Sequence, residues 1–229
     1  MLEIIILLAV SWLLVWLFEK GNLSVLGLNP TKKRLSYAFI LFIVAGICCS
    51  TGYLMRMYFA QQTFPLNQKI SAGLVFTGLW LNLKSVLFEE LLCRGAGLYI
   101  LVKKTGKRTG ILISAIVFGV LHWMNTGVFG DVTQMAIVFS FTFFMGLLLA
   151  YAFVQSGSLY LPIAIHLGWN LVQNFLFPDG PFGISVLVNP AAQPEVTVSY
   201  FIYFAILLLP KISSIVVNYF IVRRYSEKP

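Results

Sequence analysis

Apolar runs of roughly bilayer length alternate with short charged or Gly/Pro-containing breaks along the whole chain. They cover approximately residues 2–18, 35–60, 70–101, 110–124, 132–155, 159–176 and 199–222. A transmembrane helix needs about 17 to 25 apolar residues, and Gly, Pro and charged clusters mark the joints between such helices. The pattern predicts an all-α, polytopic transmembrane bundle of about seven helices, with residues 1–229 forming a single integral-membrane domain. The first run reads as a retained helix. Its leading Met-Leu-Glu has no positive charge, and no small-x-small cleavage site precedes Glu19 and Lys20, so it lacks the marks of a cleaved signal peptide.

Polar residues interrupt this pattern in very few places. Glu89, Glu90 and Arg94 fall within the third run, and the only two histidines, His122 and His166, also lie in apolar segments. An ionisable group at mid-membrane costs roughly 2.5 to 3.5 kcal/mol on insertion scales, so such residues pair with one another or perform a function. Residues four apart share a helix face, which allows Glu90 and Arg94 to form an intrahelical ion pair while Glu89 points about 100° away. One glutamate is then neutralised and the other is left for chemistry; the rival reading is a structural polar knot that fixes helix packing. Lys84 snorkels or lines the same cavity. Phe118 shares a face with His122, and His166 with Asn170.

Composition closes off the soluble alternative. Hydrophobic residues make up 59% of the chain and charged residues 10%, against about 25% charged in a soluble domain; mean hydropathy is +0.88. The net charge of +8 is distributed as membrane orientation requires. With the N-terminus outside, the inner loops hold Lys20, Lys32, Lys33, Arg34, Lys103, Lys104, Lys107, Arg108, Arg223, Arg224 and Lys228, whereas the outer loops hold Arg56 and Lys69. This bias predicts a multi-pass protein of the cell membrane with a cytoplasmic C-terminus. The scattered charges suit orientation and contact with membrane lipids, and no basic patch suggests a nucleic-acid partner. Cys48 and Cys49 are adjacent and Cys93 lies in another run, so no disulfide framework is indicated. No internal repeat of the transporter kind is evident. Nothing in the sequence sets the oligomeric state.

Counting about 1.5 Å per residue from the nearest inner loop places Glu89 and His122 about 18 Å deep, with His166 and Asn170 about 11 and 17 Å deep. All four then fall in one layer, the expected site being a mid-membrane cavity. A carboxylate and two imidazoles around water suit hydrolysis, with Glu89 as general base and histidine or asparagine donors at an oxyanion. Glu89, His122 and His166 are equally a three-donor set for a divalent metal such as zinc. The residues leave both readings open. They lack the H-E-x-x-H helix of soluble zinc proteases.

Phe88-Glu89-Glu90-Leu91-Leu92-Cys93-Arg94-Gly95 resembles the E-E-x-x-x-R signature of the CAAX protease and bacteriocin-processing (abortive-infection) family of intramembrane endopeptidases. Phe118-Gly119-Val120-Leu121-His122 resembles its F-x-x-x-H motif, and His166-Leu167-Gly168-Trp169-Asn170 its H-x-x-x-N motif. The motifs follow the family's order within residues 85–175, the motif-bearing core. Cys93 departs from the aromatic or larger apolar residue usual before the arginine. The resemblance implies hydrolysis of a peptide bond in a membrane-associated, prenylated or leader-bearing peptide or protein. Glu89 and His122 would activate water, and His166 and Asn170 would stabilise the oxyanion. Glu90, Arg94 and Phe118 would organise the site, by a metallo- or a glutamate-type mechanism. Two rivals stand beside it: a non-catalytic scaffold or bacteriocin self-immunity protein of the same fold, and a small transporter. A transporter would spread its polar residues through several spans, and a non-catalytic relative would lose site residues; neither is seen.

Overall fold

The computed structural model describes residues 2–125, 127–194 and 196–226. Lys228, one of the expected inner basic residues, lies outside them. The described residues form eight α-helices: α1 (Leu2–Glu19), α2 (Lys32–Phe59), α3 (Ala72–Arg94), α4 (Ala96–Thr105), α5 (Lys107–Leu121), α6 (Val132–Ser156), α7 (Tyr160–Leu171) and α8 (Tyr200–Arg223). Short 3-10 turns occupy Leu23–Leu26 and His122–Met124, and a π turn, Val172–Leu176, extends α7. The architecture is all-helical and consistent with a helical membrane bundle. By length and composition α1, α2, α6 and α8 are able to cross a membrane.

Each expected run contains helix, but three differ from a simple span. The third is broken at Gly95, where ψ of −145° leaves the helical region and an added Cβ would lie 2.2 Å from the Leu91 carbonyl oxygen. The polar triplet therefore ends α3, and depth cannot be counted to Glu89 along one straight helix from Lys103. The fourth run yields α5, only 15 residues long and about 22 Å at helical rise, so His122 lies just past a helix end. The sixth yields a 12-residue α7 continued by the π turn.

The chain divides into two compact units, one comprising Met1–Phe39, Leu87–Ala164 and Tyr219–Pro229, the other Ile40–Val86 and Ile165–Asn218. In the first, Ile4, Leu26, Leu91, Leu98, Ala150, Phe153 and Leu159 form one buried cluster. The ends of its helices are tied by polar contacts. Lys103 pairs with Glu19, Lys33 donates to the Ser226 carbonyl, Gln155 donates to the Tyr225 carbonyl at 2.9 Å, and Ser158 donates to the Gly27 carbonyl at 2.7 Å. In the second unit the core is aromatic: Tyr53 stacks on Phe177 at 3.7 Å, and Phe64 meets both rings edge-on. There the segments preceding α3 and α8 meet through the Leu66–Leu187 bridge and hydrogen bonds between Thr63 and Gln193.

Candidate active site

The site in the first unit is built outward from a buried ion pair. Glu90 and Arg94 are fully buried one turn apart on α3, with Arg94 Nη1 3.0 Å from Glu90 Oε1. Arg94 Nη2 also reaches toward the Gly146 carbonyl of α6 at 3.5 Å. The close approach needs glycine on α6, because a Cβ at position 146 would lie 3.1 Å from Ala115 Cα and 3.2 Å from the Phe118 ring. The guanidinium lies over the Phe118 ring, 4.0 Å from its centroid, a cation–π contact strengthened where water is excluded. Ser114 fastens α5 to α3 by donating to the Cys93 carbonyl at 3.0 Å. Cys93 is itself buried.

Phe118 carries this order to the histidine. Its ring meets the His122 imidazole at 4.4 Å between centroids, and its carbonyl oxygen lies 2.7 Å from His122 Nδ1. A carbonyl only accepts, so Nδ1 is the nitrogen that donates. Nε2 faces Glu89, 3.7 Å from Oε2, with both side chains about a quarter exposed.

Five of the seven expected residues, Glu89, Glu90, Arg94, Phe118 and His122, thus meet in one unit. The other two belong to the second unit, where His166 is buried on α7 and Asn170 follows one turn later on the same face. Gly168, between them, allows α7 to approach α2 closely: a Cβ there would lie 2.2 Å from the Phe42 carbonyl oxygen. Sequence reasoning passed over two buried amides of this unit. Asn174, in the π turn after Asn170, donates to Asn82 Oδ1 of α3 at 3.3 Å, and Asn82 donates to the Gly78 carbonyl at 2.9 Å. Asparagine within apolar helices was the available signal.

The zinc reading asks for three gathered donors. Among the described residues no three His, Cys, Asp or Glu side chains form a group able to hold a metal ion. Glu89 and His122 would supply two of the three protein donors of a catalytic zinc site; the third expected donor, His166, belongs to the second unit.

Buried ionisable residues, a fixed imidazole and an all-helical membrane fold define the class as a helical membrane protein with a glutamate–histidine centre. Residues 71–172 match the family described as Type II CAAX prenyl endopeptidase Rce1-like. The matched segment contains every one of the seven expected site residues. No curated protein and no solved structure matches the chain.

Proposed function

We propose that the protein is an intramembrane endopeptidase that hydrolyses a peptide bond of a membrane-associated peptide, prenylated or leader-bearing, using water activated by Glu89 and His122. The observation that carries this reading is the 3.7 Å approach of His122 Nε2 to Glu89 Oε2, with the imidazole tautomer fixed by the Phe118 carbonyl. A water activated by the two groups loses a proton to Glu89 as its oxygen attacks the scissile carbonyl. The family resemblance assigns stabilisation of the oxyanion that forms to His166 and Asn170. The C–N bond breaks as the proton passes to the leaving amine, giving a carboxylate and a free amine.

General base catalysis contributes about 10²- to 10⁴-fold. Cleavage of a panel of membrane-anchored peptides by the purified protein is therefore expected to fall by at least about a hundredfold in Glu89→Gln and in His122→Ala, with thermal melting unchanged. Cleavage by Glu89→Gln near the wild-type rate would sink the proposal. A parallel arm with a zinc chelator tests the metallo-type alternative: activity that disappears with chelator and returns with added zinc would replace the glutamate-type mechanism by a metal-assisted one.

A further inference from the structure

The end of α1 and the turn between α4 and α5 meet within the first unit and gather basic residues that lie far apart in the sequence. Lys103 of α4 pairs with Glu19 of α1, and the Lys104 ammonium lies over the Phe18 ring, 4.3 Å from its centroid. Lys20 lies over Trp16 at 4.9 Å. Past Gly106, which turns the chain with φ of +86°, Lys107 and Arg108 open α5. Lys20, Lys104, Lys107 and Arg108 are all exposed. Residues 16–20 and 99–110 carry five cations and one acid, Glu19, a net charge of +4. The contacts with the two rings hold ammonium groups in place without neutralising them.

Two features show that these charges are kept at a cost to the fold. Lys20 has φ of +53°, the left-handed conformation that ends a helix and that glycine adopts freely, whereas a side chain is strained in it. Lys107 and Arg108 occupy the first turn of α5, which contains no acidic residue and has no side-chain cap, although the helix dipole favours anions at that end. An anionic group from outside the protein would offset both the dipole and the mutual repulsion. The surrounding surface indicates its kind. Little of α1, a helix able to cross a membrane, is buried in the protein, and Trp16 and Phe18 are 46% and 55% exposed. Aromatic rings at the end of a membrane helix lie at the level of the lipid headgroups, and lysines beside them reach the phosphate layer. We propose that this corner is a binding surface for anionic phospholipid, with Lys20, Lys104, Lys107 and Arg108 on the headgroup phosphate and Trp16 and Phe18 beside the upper part of the acyl chains. In the orientation expected from the basic residues the corner faces the cytoplasmic leaflet, which carries the anionic lipids. The proposal is independent of the endopeptidase reading.

The test is binding of dioctanoyl phosphatidylglycerol and dioctanoyl phosphatidylcholine to the full-length protein in uncharged detergent micelles, read by microscale thermophoresis. The wild type is expected to bind phosphatidylglycerol about tenfold or more tightly than phosphatidylcholine at low salt, and to lose most of that preference at about 1 M salt, where surface charges are screened. Combined Lys104→Gln, Lys107→Gln and Arg108→Gln is expected to erase the preference. Combined Lys32→Gln, Arg223→Gln and Arg224→Gln, which removes as many charges from other chain ends, is expected to keep it. Lys20→Gly is expected to weaken phosphatidylglycerol binding severalfold with the melting temperature unchanged or raised, because glycine relieves the backbone strain; this variant decides the matter where the first triple variant does not fold. Equal binding of the two lipids by the wild type overturns the proposal. So does an equal loss of preference in the two triple variants, which would make net charge and not this corner responsible. Displacement of phosphatidylglycerol by an equal concentration of inorganic phosphate or of a hexaglutamate peptide also overturns it, assigning the corner to a soluble anion or to an acidic protein segment.

Discussion

Arg94 makes three kinds of contact at once: an ion pair with Glu90, a hydrogen bond toward Gly146 and a stack on Phe118. Its role is best separated from that of Glu89 by stability. Removing one partner of a fully buried pair leaves an uncompensated charge, at a cost of about 3 to 5 kcal/mol, whereas replacing both with apolar residues of similar volume is often neutral. Glu90→Gln and Arg94→Met are each expected to lower the detergent melting temperature strongly, and Glu90→Leu combined with Arg94→Met to recover most of the loss. Additive destabilisation in the double variant would mean that the two side chains act separately. Recovery of stability without activity would identify the pair as positioning residues, since Phe118 would lose the cation that lies over its ring and with it the orientation of His122.

The helices are held at their crossings by the absence of side chains. At Gly168 any Cβ would lie 2.2 Å from a backbone oxygen of α2, and a backbone atom cannot step aside as a flexible side chain can. Gly168→Ala is expected to cost about 1 to 3 kcal/mol or more through overpacking, with His166 and Asn170 shifted together because they flank it on α7. Gly97 of α4 provides the contrast, since nothing lies within 4 Å of a Cβ there. Gly97→Ala should be neutral or stabilising, by up to about 1 kcal/mol, as expected for helix propensity alone. Thermal melts of the two variants side by side check both expectations; equal effects would show that the α2–α7 approach is not a stability determinant.

At the scale of the molecule, the distribution of basic residues predicts the N-terminus outside and residues 102–109 and the C-terminus inside. Within the first unit Lys103–Glu19, Lys33–Ser226 and Gln155–Tyr225 join ends expected in the cytoplasm, and within the second Thr63–Gln193 and Leu66–Leu187 join segments expected outside. In a background without Cys48, Cys49 and Cys93, a cysteine at position 105 is expected to resist a membrane-impermeant thiol reagent added to intact cells and to react after permeabilisation. Labelling in intact cells would reverse the topology.

The sequence by itself determined the helical membrane class, because 59% hydrophobic composition in bilayer-length runs has no soluble alternative. It also singled out Glu89 and His122, because ionisable groups are costly in apolar helices. The Glu90–Arg94 pair was legible for the same reason as any i,i+4 pair: it is local to one helix. What only tertiary structure decided is everything that depends on contacts distant in the chain. Gly95 ends α3 where hydropathy runs on unbroken, since a window average cannot register a single backbone angle. The placement of Phe118 between Arg94 and His122 needs the packing of α5 on α3. Lys211 was passed over within an otherwise apolar run, and the cavity it lines with Arg56, Asp179 and Trp169, residues distant in sequence, forms only when α2, α7, α8 and the segment after the π turn are folded together.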